Sequence, residues 1–342
     1  MCSSSKQTVK SYINQLKIPS NLLPSELGNL YFYSCFIQAS CDFLIEEKWL
    51  MGLDAKKKPD QDFLKQYFNN QLSTIDFIKD DLCLDNKALL KLKKQFEKLE
   101  FEILLEAKER TPVEKKKFLI QALNRMTNIF IQEEQAREDN LNFPRLYRSF
   151  DGLDSIFELD YNLDVEMLVD EESKERLYQG SGVGVQSGYS SILLALHFLD
   201  LKYGQSVTDL GSGYGRLGLV FSLLRSDLLM NSYEYVDHRV QLSKEAASML
   251  EISKKCIFTT QDLSVEDFKL PFSDIYYLYD PFSEETYQYI ISQISEYAKS
   301  RKVTIVTKGN ARKWFLKLAK EKSWKEPLDI DASNLSIFEL TT

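Results

Sequence analysis

Four carboxylates stand where short apolar runs give out: Asp209, Glu234, Asp262 and Asp280. A carboxylate so placed can accept hydrogen bonds from an ammonium, from a pair of hydroxyls or from an amine. The first of them is followed by glycines at alternate positions, Gly211, Gly213 and Gly215, and Asp209 lies two places before the first. Glycines there permit positive φ and let a ligand lie against bare backbone. Asp209, at the carboxyl end of its run, can receive an ammonium group. Glu234 comes 19 residues after Gly215, close to the spacing of an acid that holds a ribose. It can accept from both ribose hydroxyls at once. Asp237 lies just past that run and is better placed to cap a helix.

The same letters admit another pattern, since Gly213-x-Gly215-x-x-Gly218 fits a nicotinamide-dinucleotide loop. That pattern normally follows an apolar strand end, whereas here Asp209 intervenes. A further glycine run, Gly180-Ser181-Gly182-Val183-Gly184, has no strand before it and is a decoy.

The elements that must position these residues alternate in type. Ser206–Leu210 reads as a buried strand and 217–224 as a helix. Further strands are expected at 232–236, 256–260, 274–279 and 303–307, with helices at 241–250, 284–300 and 311–321. Two terminal strands follow at 327–330 and 335–340. Such alternation is the pattern of a doubly wound α/β fold.

Upstream, residues 1–140 read as almost wholly helical. Leu27 to Leu50 is apolar nearly all round and is expected to be buried. Shorter helices are expected at 63–67 and 72–78. Asp85 offers an N-cap for a helix carrying Leu89, Leu92, Phe96, Leu99 and Ile103 on one stripe. Thr111-Pro112-Val113-Glu114 is a capping box with proline at the first helical position. The helix it starts carries Leu119, Leu123, Met126 and Phe130, and the two helices are expected to form an antiparallel hairpin. Residues 141–177 have little periodicity and read as a linker ending in a helix at 172–177. A helix at 190–201 then precedes the first strand.

The chain has 342 residues, a formal net charge of −8 and 44% apolar content, enough for about two domains with ample core. Lys56-Lys57-Lys58 and Lys115-Lys116-Lys117 are short solvated runs, so no global field attracts nucleic acid, although a local basic groove stays open. Cys2, Cys35, Cys41, Cys83 and Cys256 are scattered without metal-like spacing, and the two histidines, His197 and His238, do not make a zinc site. With no N-terminal signal peptide and no run of 18 apolar residues, the expectation is a soluble cytoplasmic protein without a membrane partner.

The Asp209-x-Gly211-x-Gly213-x-Gly215 loop resembles motif I of the class I S-adenosylmethionine-dependent methyltransferases. The resemblance covers residues 178–342 and implies a Rossmann-like seven-stranded sheet whose last strand inserts antiparallel. It implies S-adenosylmethionine as cofactor, with Asp209 near the methionine amino group and the glycines along the adenosyl side. It places Asp262 by the adenine amino group, with Leu263 giving backbone or apolar contact; Asp262 as an ordinary turn residue is the alternative. The segment before the first strand, with Tyr178, Gln186 and Tyr189, would close over the cofactor, or else serve as a mobile connection. Asp280-Pro281-Phe282 resembles the (Asn/Asp)-Pro-Pro-(Tyr/Phe) motif of amino-group methyltransferases, with one proline missing and the aromatic a place early. By that resemblance Asp280 orients an amine or takes its proton, and Phe282 packs beside the methyl in transfer; the alternative is that Asp280 only ends a strand. The domains implied are a helical accessory or substrate-recognition domain at 1–140, the linker, and the methyltransferase domain at 178–342. The expected acceptor is an amine on a protein side chain. Base methylation of nucleic acid and a non-catalytic cofactor-binding scaffold stand as alternatives.

Overall fold

The computed structural model describes residues 18, 22–50, 52, 56–57, 85–139, 150–167, 186–265, 267–280 and 282–340. Two compact units part between Ile156 and Phe157. No helix among the described residues is long and apolar enough to cross a membrane.

In the first unit, α1 (Pro24–Leu50) is buried on every face between Leu30 and Cys41. Helix α2 (Asn86–Lys108) starts at the expected cap, where Asp85 Oδ1 accepts from the Ala88 amide at 2.8 Å. Helix α3 (Pro112–Asp139) starts at the capping box: the Thr111 amide donates to Glu114 Oε2 at 3.1 Å and the Glu114 amide returns to Thr111 Oγ1 at 3.4 Å. The expected hairpin is altered, because both helices lie chiefly against α1 rather than each other. The reason is that α1 has apolar residues all round and can be covered only from several sides. Gly28 lets α3 come close, since a Cβ there would stand 2.6 Å from the Phe118 carbonyl oxygen. The helices expected at 63–67 and 72–78 lie outside the described residues.

The stretch read as a linker is structured where it is described. A 3-10 turn at Asp151–Ser155 closes the first unit, and α4 (Asn162–Glu166) opens the second. Phe150, Leu153, Ile156, Phe157 and Leu159 are all buried there, so spaced apolar anchors hold a segment that shows no helical period.

The second unit is a Rossmann-like α/β layer structure. After α5 (Tyr189–Phe198), β1 (Ser206–Leu210), α6 (Arg216–Leu224), β2 (Leu229–Glu234), α7 (Asp237–Met249), β3 (Cys256–Thr260) and β4 (Ile275–Tyr279) follow in turn. Next come α8 (Glu284–Ala298), β5 (Val303–Lys308), α9 (Ala311–Lys322), β6 (Leu328–Ile330) and β7 (Leu335–Leu340). The seven strands lie in the order β3-β2-β1-β4-β5-β7-β6. β1 to β5 are parallel, and β7 enters antiparallel between β5 and β6, as the resemblance implies. The second strand begins three residues earlier than expected, at Leu229, because its in-plane pairing with Ser206 and Cys256 fixes its register rather than its apolar run. The chain order reverses direction between β1 and β4, and the carboxyl ends of those strands form the crevice where open α/β sheets bind ligands.

Candidate active site

The glycine loop hangs from β2. The amides of Gly211 and Ser212 both donate to the Tyr233 carbonyl at 2.9 Å, and that of Gly215 to the Ser212 carbonyl at 2.9 Å. Gly213 donates to Glu234 Oε2 at 2.8 Å. Gly211, Gly213 and Gly215 have φ of 80°, 55° and 73°, a path that other L-residues take only under strain. At Gly215 packing adds its own demand, since a Cβ would lie 2.4 Å from the Phe258 ring.

Asp209 is 4% exposed and makes no hydrogen bond or ion pair with a described residue. Burial, helped by the neighbouring charge of Glu234, pushes its carboxyl up to about 8. Glu234 is also buried and shifted upward by desolvation, against the pull of Arg239 and two backbone donors. Its Oε1 accepts from the Val236 amide at 3.1 Å, and Arg239 Nη1 stands 3.5 Å away. Arg239 is held in turn by the wholly buried Asp164 of α4, through Nε and Nη2, each at 3.1 Å. Tyr161 sets its ring edge-on to Tyr214 of the glycine loop, 4.5 Å between centroids. Sequence reasoning missed Asp164 and Arg239, because no local pattern joins residues 75 apart.

Asp237 is the first residue of α7, not its cap, and its Oδ1 accepts from Thr260 Oγ1 at 2.6 Å. Asp262 makes a local turn, with Oδ1 accepting from the Ser264 amide at 2.8 Å and its hydroxyl at 2.6 Å. The Leu263 side chain lies in the apolar core with Leu210 and Leu278.

Before β1, Gln186 and Tyr189 are both buried. The Gln186 Nε2 has no acceptor among the described residues. Tyr189 lies under the guanidinium of Arg216, 4.6 Å from ring centroid to Cζ. Ser187 links this segment to β4, its hydroxyl 3.0 Å from that of Tyr277, and burial raises the Tyr277 phenol. Tyr178 and the glycine run at 180–184 lie outside the described residues.

At the end of β4 the arrangement differs from the motif reading. Asp280 has φ of 40°, a left-handed conformation that aspartate tolerates better than most residues. Its Oδ2 accepts from Asn310 Nδ2 at 3.0 Å and its Oδ1 from the Ala311 amide at 3.1 Å, so it holds the first turn of α9. Gly309 leaves room for this, since a Cβ there would stand 2.5 Å from Asp280 Oδ2. Phe282 is wholly buried in the apolar core, its ring edge-on to Tyr287 at 5.2 Å. Pro281 lies outside the described residues. Tyr279 is the aromatic at the strand end, with Lys308 Nζ 4.1 Å from its centroid. Lys308 was also missed, although a lone charge ending Val-Thr-Ile-Val-Thr is the same signal that marks Asp209.

No protein-family model and no curated protein matches the chain. Solved structures do resemble its second half. Precorrin-6Y C5,15-methyltransferase from Geobacter metallireducens is 13% identical, with 46% of this chain and 91% of that one covered, at a TM-score of 0.38. An RNA methyltransferase from Salinibacter ruber in complex with S-adenosyl-L-homocysteine is 16% identical, covering 46% and 94%, at 0.36. TrmN from Thermus thermophilus is 17% identical, covering 44% and 48%, at 0.33. At such values the weight of a functional reading falls on the strand order and the loop geometry.

Proposed function

We propose that the second unit binds S-adenosylmethionine and transfers its methyl group to a nucleophile at the ends of β4 and β5. One observation carries the reading: the glycine loop turns four of its amides inward, while the buried Asp209 carboxyl beside it has no partner among the described residues. The amides of Gly211, Ser212, Gly213 and Gly215 are all engaged within the protein, whereas a pyrophosphate needs such amides free. Asp209 and Glu234 lie together at this loop and suit a ligand bearing an ammonium and hydroxyls. The residues present therefore fit S-adenosylmethionine better than NAD.

When bound, the donor supplies a sulfonium-activated methyl group. The chain has to hold that donor and aim the acceptor. Asp209 takes the amino group, and the ionised form of its carboxyl is restored by that cation. Glu234, already anchored by Gly213 and Val236, accepts from the ribose hydroxyls with its remaining lone pairs. In this reading Asp262 Oδ2 meets the adenine amino group, and Gln186 and Tyr189 close over the cofactor from the segment before β1. Good alignment of acceptor and methyl is worth ~7–11 kcal/mol of barrier.

An amine on a protein side chain remains the proposed acceptor, supported by the partial Asp280-Pro281-Phe282 motif and by the acidic chain. In that role Asp280 acts by fixing the turn at 309–311 beside the acceptor. The helical first unit, proposed to select the substrate, contains none of the cofactor residues. Calorimetry with S-adenosylhomocysteine and NAD tests the cofactor: NAD binding with no response to the adenosyl ligand overturns it. Tritiated methyl transfer into fractionated lysate tests the acceptor, with label in nucleic acid favouring base methylation and no label in any fraction favouring a scaffold.

A further inference from the structure

Glu234, the carboxylate proposed for the ribose, is held in its charged form against its surroundings. It is 6% exposed, and burial works against ionisation. Its main support is the charge of Arg239, a guanidinium that stays charged when buried. The acids nearby are Asp209 of β1 and Asp164 of α4, and a charge on either disfavours a charge on Glu234.

An arginine beside a carboxylate commonly closes on it through two parallel hydrogen bonds. Arg239 does not close on Glu234. It spends that fork on Asp164, through Nε and Nη2 at 3.1 Å each, and leaves Nη1 3.5 Å from Glu234 Oε1. At that distance the charge acts without a firm hydrogen bond. A carboxylate has about four lone-pair sites, and here the Gly213 and Val236 amides use one on each oxygen. The others stay open to a ligand.

Asp164 comes from a stretch that the sequence marks as linker, yet it is wholly buried, with His238 Nε2 2.8 Å from its Oδ1. Tyr161, just before α4, seats this segment edge-on against Tyr214 of the glycine loop. The Tyr214 ring lies 5.7 Å from Arg239 Cζ, and burial raises its phenol, which stays neutral.

We propose that Arg239 and Asp164 are positioning residues for ribose recognition: Arg239 keeps Glu234 ionised, and Asp164 keeps Arg239 from closing on it, so that Glu234 presents open lone pairs to the hydroxyls. The proposal rests on the function proposed above and makes the segment at 157–166 part of the cofactor site.

The test titrates the full chain with S-adenosylhomocysteine and with its 2′-deoxy analogue. Both ligands carry the amino group assigned to Asp209, so that contact cancels in the ratio of affinities. The wild type should favour the ribose form about 10-fold or more at pH 7. Arg239→Met lets Glu234 keep a proton, so the preference should fall to a few-fold at pH 7 and return as the carboxyl ionises toward about pH 9. Arg239→Lys keeps a cation and should retain most of the preference. Asp164→Ala frees the arginine to close on Glu234, and the preference should be lost at every pH. Removing one partner of a buried ion pair strands a charge and endangers folding. The double variant Asp164→Leu with Arg239→Met strands none and should behave as Arg239→Met does. The proposal is overturned if Arg239→Met or the double variant keeps the wild-type preference at pH 7, or loses it without recovery at high pH. Asp164→Ala that keeps the preference, or regains it at high pH, overturns the part given to Asp164. A wild type that binds both ligands equally sinks the proposal and leaves the cofactor reading standing; one that binds neither sinks both.

Discussion

Asp209 lies near the carboxyl end of β1, and Asp280 directly follows the carboxyl end of the neighbouring parallel strand β4. By residue type and position they are the same device. Their surroundings make them opposites. Asp209 is buried with no partner among the described residues, and its proton is held up to a pH of about 8. Asp280 gives both oxygens to the turn at 309–311 and takes a left-handed backbone to do so. The first carboxylate is kept for a ligand, the second for the fold. The difference teaches that an acid at a strand end is a candidate only until its hydrogen bonds are counted.

The sharpest way to test the ligand side of this contrast is at Glu234, which lies beside Asp209. Glu234→Ala should weaken S-adenosylhomocysteine by about 10- to 150-fold, the worth of hydrogen bonds to a charged group at ~1.5–3 kcal/mol. Calorimetry reads this directly, and an unchanged affinity would remove Glu234 from the ribose.

Asp209→Asn should weaken the same ligand about 10-fold while stabilising the unliganded protein. The folded Asp209 holds a proton that the unfolded chain gives up near ~3.9. Wild-type stability therefore falls as pH rises from there to about 8. The asparagine variant lacks this loss, so its advantage in unfolding free energy should widen across that window and then level off. Wild-type binding should also release a proton at pH 7, seen as a calorimetric enthalpy that varies with buffer ionisation heat. A pH-independent difference between the two proteins counts against a buried, protonated Asp209.

At Asp280 the expected loss is one of stability. Asp280→Ala removes the acceptor for the first turn of α9 and should cost about 0.5–2 kcal/mol. Asp280→Asn, which keeps an acceptor and tolerates the same φ, should cost less. Thermal unfolding beside methyl-transfer rates separates the readings. A fall of ~10²–10⁴ in turnover at unchanged Tm would return Asp280 to acid–base work and erase the contrast with Asp209.

The smallest effect is expected farthest off. Removing residues 1–156 should leave S-adenosylhomocysteine affinity within a few-fold, because every proposed cofactor residue lies in the second unit, while methylation of the native target declines. A truncated chain that is folded and methylates that target as the full chain does would take substrate selection away from the helical unit.

Much of this was legible without coordinates. Helix starts at Asp85 and Thr111 followed from capping chemistry, which acts over three residues and is written in consecutive letters. The alternation of strands and helices, and the glycine path after Asp209, rest on equally local rules of period and φ. Whether a carboxylate was free or engaged was not legible. Asp280 is held from 31 positions away by the Ala311 amide, and Glu234 is flanked by an arginine that Asp164 holds from 75 positions away. That Phe282 packs edge-on to Tyr287 was not legible either, because motif spacing does not say which core neighbours a ring meets. The sequence by itself determined the elements and their ends, through short-range sterics and hydrogen bonds. Only the tertiary structure decided which charges were left unanswered, because burial and pairing depend on neighbours brought together by the sheet.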